Sequence, residues 1–257
     1  MGDIVGAAGP VTLSYIVPAH NSVHTIERTL RELGRRFSHR HAEIAEIIVV
    51  ENGSTDETPA LLRRVAAGWP RHGVGLRVLT AEKGLGNALR LGIAESRGDR
   101  VFLGADDLPF GFDDLDASAR FDHAEHPVVV GSKAHPESEI DRSFVRGILT
   151  FGFLALRAAI LGMRTRDPQG TFALDGPWAR RVVGRLDEPG FLLTTELVYL
   201  AETSGIRPVE VPVRLRDAHA AHGSRIRVGD VWRMGVGLLA LRRRHRTARA
   251  EATAPLG

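Results

Sequence analysis

The run Phe102-Leu103-Gly104-Ala105-Asp106-Asp107-Leu108 is apolar and ends abruptly in adjacent carboxylates. Neighbouring acids at the end of a buried strand repel each other and lose hydration unless a cation sits beside them. A hard divalent ion bridging to phosphate oxygens meets that need, so Asp106 and Asp107 are candidate ligands for Mg²⁺ or Mn²⁺. Pro18-Ala19-His20-Asn21-Ser22 follows Ile16-Val17, and Glu51-Asn52-Gly53-Ser54-Thr55-Asp56 follows Val49-Val50. Gly53 permits close backbone approach or positive φ. Each loop also reads as an ordinary turn when taken alone. Asn21, Ser22 or Asp106 could simply cap a helix, and ENGSTD is a good turn sequence.

What gives these loops weight is where the elements put them. Short β-rich runs alternate with helical patterns, which predicts an α/β fold with a mostly parallel sheet flanked by helices. Strands are expected at 12–17, 46–50, 76–80, 100–103 and 128–131. Ile26, Leu30, Leu33 and Phe37 recur at helical spacing; Thr58-Pro59 reads as a cap and first helical position. Leu85, Leu89, Gly92 and Ile93 form another helical face. Ligands of open α/β sheets bind beyond the carboxyl ends of the strands, which is where the odd polar residues fall.

The second half differs. Residues 144–163 are largely apolar, interrupted by Arg146 and Arg157, which share a helical face. Residues 192–200 read as a helix and 206–215 as a strand; 228–241 are amphipathic and run into Arg242-Arg243-Arg244-His245-Arg246. One domain over 1–246 is expected, with 11–135 as the ligand-binding half, 136–246 as the acceptor half and 247–257 as a frayed tail.

Composition sets outer limits. The chain has 257 residues, 43% hydrophobic and 25% charged, enough for a full core and against wholesale disorder. With no cysteine, disulfides, thiolate nucleophiles and cysteine-based metal sites are excluded. No signal peptide or transmembrane helix is expected from the sequence. Net charge is +3, with Lys83 and Lys133 the only lysines. No basic stripe interleaves with stacking aromatics, so nucleic acid is not an expected partner.

VPAHN, ENGSTDET, GDRVFLGADDLP, RDPQGTF, ELVYLAE and VEVPVR, in that order, resemble family 2 glycosyltransferases. Within that family they look most like the branch that glycosylates polyprenyl or dolichyl phosphate. The resemblance spans about 12–230 and implies a GT-A fold, which binds a nucleoside-diphospho-sugar in an α/β sheet. It implies an inverting hexosyl transfer from a UDP- or GDP-sugar to polyprenyl phosphate, with Mg²⁺ or Mn²⁺ at Asp106 and Asp107. Pro18, Ala19, His20 and Asn21 would line the base and ribose, with Glu51, Asn52, Ser54, Ala105, Asp106 and Lys133 completing the nucleotide-sugar contacts. Asp106, Asp107 and Glu196 are the implied catalytic acids. Arg142, Asp167, Gln169, Arg214, Arg216, Ser224 and Arg225 would face the diphosphate or acceptor.

The departures matter as well. Ser22 stands where the family often has glutamate, Asn52 where it has an acid, and Gly104 where the first acid of the DXD motif belongs. Lys133 reads equally as a surface lysine, Asp167-Pro168 as a turn entering a strand, and Glu196 as a solvated helix residue. Lys83 is weaker still. His219 and His222 offer a metal ligand or a solvated loop. A cytoplasmic protein is expected, with 144–163 and 228–246 either lying on a membrane or packing in the soluble core. Two alternatives remain: the same donor chemistry on a soluble hydroxyl acceptor, and a non-catalytic nucleotide-sugar binder.

Overall fold

Alternate side chains of the first strands enter opposite cores. From β1 (Leu13–Ala19), Leu13, Tyr15 and Val17 join one cluster and Ile16 the other. In β2 (Ala45–Glu51), Ile47 and Val49 part from Ile48 and Val50 in the same way. A sheet buried on both faces needs helices on both, as in a doubly wound α/β fold. A computed structural model describes residues 11–38, 45–70, 74–139, 156–216 and 235–245.

Seven strands form one sheet, ordered β3-β2-β1-β4-β6-β5-β7. The others are β3 (Gly75–Thr80), β4 (Arg100–Leu103), β5 (Val128–Ser132), β6 (Thr171–Asp175) and β7 (Val209–Pro212). All pairings are parallel except those of β6, which is antiparallel to β4 and β5. Helices α1 (Ile26–Ser38), α2 (Thr58–Ala67) and α4 (Asp113–Ser118) contribute residues to the Tyr15 cluster. On the other face lie α3 (Leu85–Glu95), α5 (156–161), α6 (Gly176–Val182), α7 (Leu193–Thr203) and α8 (235–245).

The expected spacing of α1 is realised: Ile26, Leu30, Leu33 and Phe37 are buried, each such side chain contributing about 1.5–3 kcal/mol. Thr58 is the first residue of α2, and the side chain of Asp56 accepts from its N–H at 2.9 Å. Gly92 lets α3 press on the sheet, since a Cβ there would lie 2.5 Å from Cγ2 of Ile16.

Strand β6 is the feature that sequence reasoning did not order. Leu103 of β4 pairs with Phe172, and Gly131 of β5 with Thr171, so the turn before the antiparallel β6 reaches the carboxyl ends of β4 and β5. The predicted strand at 206–215 shortens to β7. Residues 144–155 and 228–234 lie outside the described residues, as do Arg142, Arg146, His219, His222, Ser224, Arg225 and the tail.

Candidate active site

The edge formed by the carboxyl ends of β1, β2 and β4 is where strand order turns back, the usual crevice for a ligand in open α/β sheets. Register aligns the ends: Ala19 pairs with Glu51, Glu51 with Thr80, and Ile16 with Leu103. Strands β5 and β7 add 132–133 and 213–216 to the same edge, and the start of β6 adds 167–170.

The first two loops are laced together. His20 Nδ1 lies 3.1 Å from the Asn52 carbonyl oxygen, and the Asn52 N–H donates to the Ala19 carbonyl at 3.1 Å. Asn21 adopts a φ of 53°, a conformation that asparagine tolerates better than most residues, and its side-chain oxygen accepts from the Thr55 N–H at 2.8 Å. Its own N–H donates to Ser54 Oγ at 3.0 Å, while the Ser54 N–H donates to the Glu51 carboxylate at 2.6 Å. Glu51 and Ser54 therefore brace the loop. The Asn52 side chain is buried, and its amide oxygen has no hydrogen-bond partner among the described residues. A buried acceptor without a donor is uncommon and marks a place for one. Lys83 packs across Gly53, where a Cβ would lie 2.9 Å from that of Lys83.

The acidic loop is held from α1. The Thr25 hydroxyl donates to Asp106 Oδ2 at 3.2 Å, and the Thr29 hydroxyl donates to the Asp106 carbonyl at 2.7 Å. Both Asp106 and Asp107 are half-buried. Behind them stands Tyr15, stacked on Phe102 with centroids 5.0 Å apart. Burial, reinforced by the charges of Asp114 and Asp107, pushes its phenol well above the ordinary value and keeps it neutral. Burial likewise raises the Asp114 carboxyl to about 6.

Around the rim the cations are paired. Lys133 lies 3.9 Å from Asp167 and reaches the Gln169 carbonyl at 3.5 Å, while its N–H donates to Asp167 at 2.8 Å. Asp167 also accepts from the Gln169 N–H at 3.2 Å, so it organises the turn before β6. Arg216 crosses Gly111 to Glu32 at 3.1 Å. Burial opposes ionisation of Glu32, but the hydrogen bonds from Arg28 and Arg216 outweigh it and hold that carboxyl below its ordinary value. Arg214 bonds the exposed Glu139 at 2.7 Å.

Glu196 is completely buried. One oxygen accepts from the Asp187 and Glu188 N–H groups at 3.0 and 2.9 Å, the other from Arg244 at 3.2 Å and His245 at 2.7 Å. Burial works against its charge, yet the His245 and backbone hydrogen bonds win and lower its pKa. The solvated-helix reading of Glu196 is thus corrected: it joins α7, the 187–188 turn and α8. Arg157, from the segment whose sequence is open to either a membrane surface or the core, is also buried and donates to the Thr165 and Arg166 carbonyls.

Residues 14–183 match the family model for Glycosyl transferase family 2. The chain belongs to that family. It is 28% identical over 249 residues to a dolichyl-phosphate beta-glucosyltransferase of Mus musculus, covering 91% of this chain and 76% of the relative. The Homo sapiens protein of that description matches with the same figures. Among solved structures, glucosyl-3-phosphoglycerate synthase from Mycobacterium tuberculosis with Mg²⁺ and UDP superposes with a TM-score of 0.60 at 21% identity, over 91% of this chain and 79% of that one. Mannosyl-3-phosphoglycerate synthase from Rubrobacter xylanophilus gives 0.62 at 17%, over 96% and 77%. These likenesses establish the GT-A fold. The protein is a family 2 glycosyltransferase, similar along most of its length to dolichyl-phosphate beta-glucosyltransferases.

Against the DXD motif of such enzymes, the structure explains one departure. A side chain at 104 would run into Tyr15: a Cβ would lie 2.5 Å from its hydroxyl oxygen and 2.6 Å from Cζ, so the ring or the backbone would have to move. The described residues contain no cluster of three or more histidine or acidic side chains able to cage a metal. Asp106 and Asp107 fit a hard cation that takes its remaining oxygens from a ligand's phosphates and water. Tyr15, Thr25 and Thr29 escaped sequence reasoning, because Thr29 lies on α1, Thr25 in the turn just before it and Tyr15 within β1, outside the motif residues.

Proposed function

We propose that this glycosyltransferase moves a hexosyl group from a UDP- or GDP-hexose to a polyprenyl phosphate, inverting the anomeric carbon. The observation that carries the reading is the convergence of Asn52, Asp106 and Asp107 on one sheet edge. The amide oxygen of Asn52, without a partner among the described residues, suits the imino N–H of a base, and the acids follow β4, which is separated from β2 by β1 alone. The acceptor rests on the likeness to dolichyl-phosphate beta-glucosyltransferases along 91% of the chain.

An oxygen of the acceptor phosphate attacks the anomeric carbon, the bond from that carbon to the diphosphate breaks, and its electron pair leaves with the nucleoside diphosphate. The attacking oxygen is already anionic, so no general base is needed. A hydroxyl acceptor would require one; of the two candidates, Glu196 has both oxygens engaged in the interior, and Asp107 is assigned to the divalent ion. That favours the phosphate acceptor over a soluble alcohol. The protein's work is positioning and charge balance. Asp106 and Asp107 would hold the divalent ion, which when bound neutralises charge on the departing diphosphate. Thr25 and Thr29 fix Asp106, while Lys133 adds positive charge at the rim.

We also place the enzyme at a membrane surface, where such an acceptor resides. Phe191, Val236 and Leu239 are exposed at 76, 51 and 50%, and α8 packs beside Phe191 because Gly237 lies against Leu192. Arg242 and Arg243 are exposed on α8. Apolar side chains beside arginines suit an anionic lipid interface. Among the described residues no helix is long and apolar enough to cross a membrane.

The test offers UDP- and GDP-hexoses with either polyprenyl phosphate in detergent or water-soluble hydroxyl acceptors. Transfer confined to the lipid phosphate is the expected result. Transfer to hydroxyls alone, or donor binding with neither transfer nor hydrolysis, would overturn it.

A further inference from the structure

We propose that Tyr15 is a positioning residue that has taken over the space of the first DXD acid, so that residues 15 and 104 form a mutually exclusive pair and the cation site is completed by the donor's diphosphate. The inference rests on the functional reading above and adds the device by which this chain lives with Gly104.

The steric part comes from the sheet. Tyr15 and Phe102 are register partners on β1 and β4, and their rings stack at 5.0 Å on the same face. Residue 104 is the next outward position on that face, since side chains recur every second residue along a strand. The Gly104 N–H still bonds the Ile16 carbonyl at 2.9 Å, so the chain here remains tied to β1 and cannot swing away from the ring. The ring cannot yield easily either, because Phe37 stands against it with centroids 5.8 Å apart. A side chain at 104 must displace either the phenol or the backbone.

The chemical part follows from what replaces what. A carboxylate at 104 would bring a third negative charge beside Asp106 and Asp107, preforming a cation site. A neutral phenol brings none and can donate a hydrogen bond instead. With only two adjoining carboxylates from the protein, a six-coordinate hard ion needs phosphate oxygens before it is held. The ion should therefore bind together with the nucleoside diphosphate rather than ahead of it.

The pair is tested with Tyr15→Phe, Tyr15→Ala, Gly104→Asp and the double variant Tyr15→Ala/Gly104→Asp, by thermal melting and by the electron paramagnetic resonance of Mn²⁺ with and without UDP or GDP. Wild type should bind Mn²⁺ at least tenfold more tightly when the nucleotide is present. Gly104→Asp alone should melt well below wild type. The double variant should melt above the sum of the single losses, and should bind Mn²⁺ without nucleotide. Tyr15→Phe keeps the plug and should retain the nucleotide-dependent Mn²⁺ signal; its loss would overturn the steric account. Additive melting losses would also overturn the pair, as would Mn²⁺ binding by wild type that ignores the nucleotide. If neither nucleotide binds any variant, the proposed function fails, while the melting cycle still decides the steric pairing.

Discussion

The hydroxyl of Thr25 donates to Asp106 Oδ2 across 3.2 Å, joining the start of α1 to the acidic loop beyond β4. A carboxylate steered this way presents its other oxygen in a fixed direction. Outer partners of metal ligands typically matter by ten- to a hundredfold. Thr25→Val should weaken metal-supported nucleotide binding by roughly that factor, and Thr25→Ser should restore most of it. Calorimetric titration of nucleotide with and without Mn²⁺ checks both.

Asn52 predicts a loss of base contact without loss of fold. Its amide oxygen is buried and partnerless, so Asn52→Ala removes no hydrogen bond from that oxygen among the described residues. Donor affinity should fall about tenfold, as one hydrogen bond of about 1–1.5 kcal/mol would imply, with little change in melting temperature. Unchanged affinity would remove Asn52 from the base site.

Asp114 should make stability fall as pH rises through about 6. Burial raises its folded value from 3.8 to about 6, so the folded state holds a proton that the unfolded chain has released. That contribution is complete below 3.8 and gone above about 6. Asp114→Asn should then gain on the order of 2–3 kcal/mol at pH 7.5 and little at pH 4. Denaturant unfolding of both proteins at the two pH values measures it.

Glu196 has the opposite sign. Its folded pKa is lowered, so its contribution is present above about 4.5 and lost as pH falls through the folded value. Breaking one partner of a buried ion pair costs on the order of 3–5 kcal/mol. Glu196→Gln should lose most of that at neutral pH and loosen α8, seen as faster amide exchange at 235–245. Normal protection of α8 in this variant would contradict the latch.

Several of these relationships were visible in the sequence and others were not, for a physical reason. The strand-end loops carry their own signals, because a polar cluster after an apolar run declares itself locally, and the sheet edge then followed from parallel topology. Gly104 was legible as a missing acid. Its cause was not, since Tyr15 reads as one more alternating strand residue until β1 and β4 are paired. Likewise Thr171-Phe172-Ala173-Leu174-Asp175 is a short apolar run with no mark of its antiparallel direction. Glu196 looks like an exposed helix acid because its partners Arg244 and His245 sit in a basic run that could equally be solvated. Lys83 meets Gly53 only through the adjacency of the loops after β2 and β3.

The central claim is that Asp106 serves hexosyl transfer to a lipid phosphate, and the most direct measurement compares wild type with Asp106→Asn. Both are given labelled UDP- or GDP-hexose, a divalent cation and polyprenyl phosphate, and lipid-extractable label is followed over time. The account predicts lipid-linked hexose from wild type and a loss of at least a hundredfold in the folded variant, in line with removal of a charge-stabilising group. Equal rates from the two proteins, or no lipid-linked sugar from wild type with any donor, would contradict it.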